Sequence, residues 1–206
     1  MTLRISENLV ESFRFAKNGL IGHWVRWIIM IVVTAIPIVN FISYGYYIKI
    51  FKGGDVAPEF NGYGRLFVDG IKLFIIAMAY MIIPLVLVCF SLMFTETVSE
   101  GIGLILVLIA IALVFVFGLL GLIGGIRFAK TEKMGEGFNF KAILATIKEI
   151  GWGHYFLSYF VLFFLVVLMA SIVYIIPLIG RLLFLVILPL ILLWQGKYYE
   201  NLYSRA

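Results

Sequence analysis

The sequence predicts an all-α integral membrane protein with five to six membrane segments. Three observations carry this. The 206 residues are 64% hydrophobic and 13% charged, with a mean hydropathy of +1.12, where a soluble domain is about half apolar and about a quarter charged. Apolar runs recur along the chain, most of them near the ~20 residues that a helix needs to cross ~30 Å of hydrocarbon. The connections between them alternate between basic and base-free, as the loops of a polytopic protein do. No stretch is long and polar enough for a separate soluble domain, so residues 1–206 read as one membrane unit.

Residues 3–19 alternate charged and apolar groups. Leu9, Phe13, Ala16 and Leu20 fall at helical spacing, with Glu7, Glu11, Arg14 and Lys17 mostly elsewhere, and Ser6 or Asn8 is placed to cap the start. This suits a helix lying in the membrane interface. The first apolar run begins near Leu20 and no small-residue cleavage site follows, so no signal peptide is expected. Residues 20–50 are too many for one comfortable span and rather few for two. They cross twice or re-enter, turning near residues 37–40, and end at Gly45-Tyr46-Tyr47. A basic connection with Lys49 and Lys52 leads through the turn Gly53-Gly54-Asp55 to an amphipathic helix over about 61–72 and then to a span over 73–94 containing Pro84. The connection TETVSEG has no Lys or Arg. A span over 102–126 follows, and then a basic stretch with Arg127, Lys130, Lys133, Lys141 and Lys148. Within it Phe140, Ile143, Leu144, Ile147 and Ile150 form a helical apolar stripe. Residues 152–176 and 182–195 span again, separated by Pro177, Gly180 and Arg181. Pro189 lies inside the second of these spans, and the tail GKYYENLYSRA is polar.

Basic loops stay in the cytoplasm. The connections 45–72 and 127–151 are therefore expected inside and 95–101 outside, with both termini cytoplasmic. The segments then group as three hairpin-like quasi-repeats, about 3–52, 60–130 and 138–203, each preceded by a cytoplasmic interfacial amphipathic helix. The interval from Asn8 to His23 equals that from Asn139 to His154, and Lys17 and Lys148 match in the same register. Such repeats are common in transporters, though not confined to them.

The deep parts of the spans hold no Asp, Glu, Lys, Arg or His. This argues against proton- or sodium-coupled pumping and against catalysis by carboxylates, paired histidines or an activated nucleophile. His23 and His154 are the only histidines and Cys89 the only cysteine, so no metal site and no other cofactor is expected. Gly118, Gly121 and Gly125 stud one membrane segment and allow close backbone approach. They serve packing within the chain or against a second copy, the internal use being favoured. The excess of 16 basic over 11 acidic residues reads as contact with anionic headgroups and not with nucleic acid. The candidate contacts for lipid or a partner are Tyr46, Tyr47, Lys49, Arg65, Lys72, Arg127, Lys141, Lys148 and Tyr198, although an aromatic belt explains most of the tyrosines equally well.

Ile36-Pro37, Gly45-Tyr46, Pro58-Glu59-Phe60, Phe67, Asp69-Gly70, Lys72 and Tyr80 with Pro84 resemble the domain-of-unknown-function 4013 family of archaeal multi-pass membrane proteins, frequent in methanogens. Asn61 stands where that family often has an acidic residue. The resemblance implies an archaeal-type integral membrane protein and no activity. In hairpin layout only, the chain is also similar to the membrane domain attached to some bacterial glycerophosphodiesterases, which would suggest handling or sensing of lipids. The expected function is a non-enzymatic module that binds membrane lipids or a membrane partner, a homo-oligomer included. The alternative is a transporter or scramblase of an apolar or amphipathic solute.

Overall fold

A computed structural model describes residues 4–97, 99–175 and 179–205. Its elements are the helices α1 (Ile5–Leu20), α2 (Trp24–Ala35), α3 (Phe41–Phe51), α4 (Tyr63–Thr97), α5 (Glu100–Thr131), α6 (Phe140–Ile150), α7 (Trp152–Tyr174) and α8 (Ile179–Ser204), with a 3-10 turn at Met134–Phe138 before α6. Four helices, α4, α5, α7 and α8, are long and apolar enough to cross a membrane. A fifth crossing is reached only by counting α1 and α2, bent 101° apart, as one broken span. Pro177, expected between the last two spans, lies outside the described residues.

Neither helix of the first hairpin is long enough to cross by itself. α2 and α3 have 12 and 11 residues, about 18 and 17 Å at 1.5 Å per residue, short of the ~30 Å hydrocarbon core. The chain turns over residues 36–40, where Pro37 stops the ladder. Phe41, at the start of α3, packs on Phe67 and Phe74, so α3 lies beside only the beginning of α4. Here the two backbones nearly touch. A Cβ on Gly45 would sit 1.9 Å from the Leu66 carbonyl oxygen, and one on Gly70 would sit 1.7 Å from that of Phe41.

The separate amphipathic helix expected over 61–72 is instead the start of α4, a continuous 35-residue helix. No breaker stands between Lys72 and Leu73. The helix is about 52 Å long and overhangs a ~30 Å core by several turns, and those turns carry Arg65, Asp69 and Lys72. Pro84 is held inside α4 and Pro189 inside α8, as neighbouring helices permit in membrane proteins.

One further expectation changes. The tail GKYYENLYSRA continues α8, and Gly196, Lys197, Tyr198, Tyr199, Glu200, Asn201 and Leu202 are buried in it. Of the α1 stripe, Ala16 and Leu20 are buried, Leu9 packs against the core and Phe13 lies edge-on to Trp194. Phe13 is 39% exposed, and the buried face is Asn8, Ser12, Phe15, Ala16, Gly19 and Leu20. Polar bonds choose that face. Asn8 Nδ2 donates to the Tyr198 carbonyl at 3.0 Å, Asn201 Nδ2 donates to Asn8 Oδ1 at 3.0 Å, and Trp194 Nε1 donates to the Leu9 carbonyl at 3.1 Å. Arg205 meets Glu11 at 2.7 Å, which brings the two ends of the chain to one end of the bundle.

The equal Asn-to-His spacings do not give equal roles. Asn139 caps α6, accepting from the Ala142 amide at 3.2 Å, whereas Asn8 lies inside α1. The corner glycines, Gly22 (φ 85°) and Gly151 (φ 90°), are offset by two residues in that register.

The contact of α3 with α4 gives a stability test. Gly45→Ala and Gly70→Ala each lower the thermal midpoint of the purified protein in detergent, costing about 1–3 kcal/mol, because the obstacle is backbone and cannot rotate away. Gly64→Ala, which meets nothing within 4 Å, leaves the midpoint unchanged or slightly raised.

Candidate functional site

Most of the charged groups gather at the end of the bundle where α3, α5 and α8 finish and α4 begins. Many are paired, although Lys133 beside Glu132 has no ion pair among the described residues. Glu132 receives Lys52 and, at 3.1 Å, Arg65. Asp69 holds Arg65 at 3.6 Å and Lys72 at 3.4 Å. Arg127 pairs with Glu136. Glu200, 4% exposed, holds Lys197 at 2.9 Å and Lys130 at 3.2 Å. Glu132 ends α5 with φ 58°, a left-handed conformation that usually falls to Gly or Asn. That conformation sets the carboxylate between Lys52 and Arg65. Lys52, Arg65, Asp69, Lys72 and Glu132 line a recess of about 420 Å³.

A second space lies farther along the same helices, bordered also by α7 and α8. It is an open groove of about 500 Å³. Leu73, Phe74, Ala77 and Met81 of α4 form one wall, Gly118, Gly121, Leu122 and Gly125 of α5 another, and Tyr44, Tyr47, Tyr159, Gln195 and Tyr199 the rest, mainly from α3, α7 and α8. Tyr47 donates to Gln195 Oε1 at 3.0 Å.

A family model described as a protein of unknown function, DUF4013, matches residues 28–184. The chain belongs to this family. No curated protein and no solved structure matches it. The DUF4013 match runs from within α2 to the first turn of α8, so it takes in the α3–α4 contact and the recess, while Gln195 and Tyr199 of the groove lie beyond it.

In this DUF4013 chain the sequence candidates separate into two groups. Most are engaged inside the protein. Tyr46 and Tyr198 are 0% exposed and donate to the carbonyls of Pro58 at 2.6 Å and Ser158 at 3.2 Å, so they are structural ties and not lipid contacts. Lys49 holds the loop after α3 through Glu59 and Asn61. Arg127, Arg65 and Lys72 are paired with acids as above. Gly121 makes room for the Tyr80 ring, which would lie 3.2 Å from a Cβ there. Gly118 faces the Tyr159 hydroxyl and Gly125 faces Leu73. Lys141 and Lys148 form the other group. Both are exposed, and among the described residues neither has an ion pair. They project from α6 beside exposed Phe140, Leu144 and Trp152, while Ile143, Ile147 and Ile150 point inward. The stripe read from the sequence is thus divided, three isoleucines in the core and Phe140 and Leu144 outside.

Sequence reasoning missed Glu132 and Gln195. Glu132 had no local signal, because its partners are distant in the chain. Gln195 did have one. It is a lone amide inside an apolar run, and such groups mark interhelical contact as ionisable ones do.

The ion pairs outside the spans make stability depend on pH. Glu132 is held below the usual carboxylate range by the hydrogen bond from Lys52 and then by the charges of Lys52 and Arg65. Glu136 is held low by hydrogen bonds from Arg127 and Asn139. A lowered folded-state pKa contributes stability that is present above the unfolded value and lost as pH falls through the folded one. The thermal midpoint should therefore drop between about pH 5 and pH 3. The Glu132→Gln/Glu136→Gln variant should be less stable at neutral pH and flatter across that window. Parallel profiles would mean that other carboxylates carry the acid loss.

Proposed function

We propose that this protein is a non-enzymatic membrane module that holds anionic lipid headgroups at its basic end, with α6 as the contact. The observation that carries this is the pair of free lysines, Lys141 and Lys148, on one face of α6 two turns apart, with exposed Phe140 (48%) and Leu144 (44%) on the same helix and Trp152 (54%) opening α7. Cations flanked by apolar anchors are how an interfacial helix binds a charged leaflet, the anchors entering the acyl boundary and the amines staying at the phosphates. Arg14, Lys17 and Lys133 are also exposed without an ion pair among the described residues, but only the α6 lysines stand beside exposed Phe140, Leu144 and Trp152, with Glu149 the one acid on that helix. By the positive-inside rule this end faces the cytoplasm, where anionic lipid is enriched. The absence of ionisable residues deep in the spans supports a non-enzymatic role.

The test is native mass spectrometry of the purified chain with dioleoylphosphatidylglycerol and dioleoylphosphatidylcholine. The wild type should retain the anionic lipid preferentially. Lys141→Gln/Lys148→Gln should reduce that preference about tenfold or more, at about 1 kcal/mol per lysine, and salt should do the same. Equal retention of the two lipids by the wild type would remove the proposal.

The groove supports a second reading, a transporter or scramblase of an apolar or amphipathic solute, because it is open and lies within the spanning region. A flux assay in sealed vesicles separates the two, since a binding module moves nothing.

A further inference from the structure

The groove differs from the basic end in its chemistry. No Asp, Glu, Lys, Arg or His lines it. A charged headgroup placed there would lose its hydration with no counter-charge. The walls are mostly apolar but carry polar hydrogens at fixed places. Gln195 uses its Oε1 to accept from Tyr47, and among the described residues its Nε2 has no acceptor. Among them the hydroxyls of Tyr44, Tyr159 and Tyr199 also have no hydrogen-bond partner, and Tyr159 points across the groove toward Gly118, 3.3 Å from where a Cβ would be. A small recess of about 190 Å³ adjoins the groove, sharing Tyr44, Tyr47 and Gln195 with it and lined also by Asn40 and Ser43. Ser43 is 1% exposed and its Oγ has no hydrogen-bond partner. A buried hydroxyl left without a partner is destabilising, so the site has an unmet polar demand beside a run of donors.

We infer that this groove binds an uncharged glycerolipid. The hydroxyl and the carbonyl or ether oxygens of its glycerol end accept from Gln195 Nε2 and the tyrosine hydroxyls and meet Ser43. The first part of its chain lies along Leu73, Ala77, Met81 and Leu122. The volume of about 500 Å³ falls in the usual range for ligand sites, ~300–1,000 Å³. Because the groove is open, the remaining chain stays in the bilayer. On the α5 wall Gly118 and Gly125 present backbone between the side chains of Tyr159 and Leu73, while Gly121 is backed by the Tyr80 ring. The site is independent of anionic lipid at α6, since the groove selects against charge where α6 selects for it.

The probe is a diacylglycerol carrying a diazirine and an alkyne, built into nanodiscs with the full chain, photolysed and mapped by peptide mass spectrometry. Label should concentrate on groove residues of α4, α5 and α7. Dioleoylglycerol should compete it away and dioleoylphosphatidylglycerol should not. Ala77→Trp, which fills the groove, should abolish the focused label. Gln195→Leu, which keeps the volume and removes the donor, should lower it about threefold or more, the loss expected of one neutral hydrogen bond. Lys141→Gln/Lys148→Gln should leave it unchanged. Label spread evenly over outward residues such as Ile82 and Leu104, equal competition by the anionic lipid, or undiminished label in a folded Gln195→Leu variant would each overturn the assignment.

Discussion

The bundle depends on side-chain donors that reach the main-chain carbonyls of a neighbouring element. Tyr46 reaches Pro58, Tyr80 reaches Gly137 at 2.8 Å, Tyr155 reaches Leu119 at 2.6 Å, and Tyr198 reaches Ser158. Trp27 reaches Val186 at 2.8 Å, Trp194 reaches Leu9, and Lys197 reaches Gly54 at 2.9 Å. Apolar helices in lipid gain little by burying leucine against leucine, because the hydrocarbon outside is equally apolar. A hydroxyl or indole N–H in that medium has few alternatives to a protein acceptor, so each tie fixes which helices meet and at what height. The single bonds are modest, about 0.6 kcal/mol each in such settings, and they join α8 to α1, α2 and α7 and α7 to α5, while α3, α4 and α5 meet through close packing at Gly45, Gly70 and Gly121.

α8 is where these ties converge. Its second half contacts α1 through Asn8, Asn201 and Trp194, α7 through Tyr198, α5 through Glu200 and Lys130, and the loop after α3 through Lys197. Gly53, with φ 94°, lets that loop come within 3.2 Å of Glu200 Oε1, measured from where a Cβ would be. A buried Lys197–Glu200 pair would be costly alone. Here Lys130, Ser204 and the Gly54 carbonyl complete its hydrogen bonding.

The short first hairpin shapes what remains. α3 is drawn hard against α4 by Gly45 and Gly70, and its other face supplies Tyr44, Tyr47 and Phe51 to the groove. The glycines of α5 keep the opposite wall thin. The polar end and the apolar groove therefore use the same three helices at different heights, with charge confined to the overhanging turns and neutral donors below them.

The sequence by itself determined that this is a helical membrane protein with spans at α4, α5, α7 and α8, since the apolar runs alone specify them. It also determined the turn after α2, whereas the cap it offered at Ser6 or Asn8 lies inside α1. Its spacing argument for the α5 glycines pointed at close approach, and the rings of Tyr80 and Tyr159 meet them within the chain. Only the tertiary structure decided which polar residues are free. Tyr46, Tyr198 and Arg127 read as candidate lipid or partner contacts but are bonded within the chain to Pro58, Ser158 and Glu136, and the polar tail is the buried second half of α8. Lys141 and Lys148 read no differently from Lys49 until the neighbours are known. Periodicity reports which face of a helix is apolar, whereas in a membrane both the lipid and the interior are apolar. The pairing of polar groups, which is non-local, therefore selects the buried face.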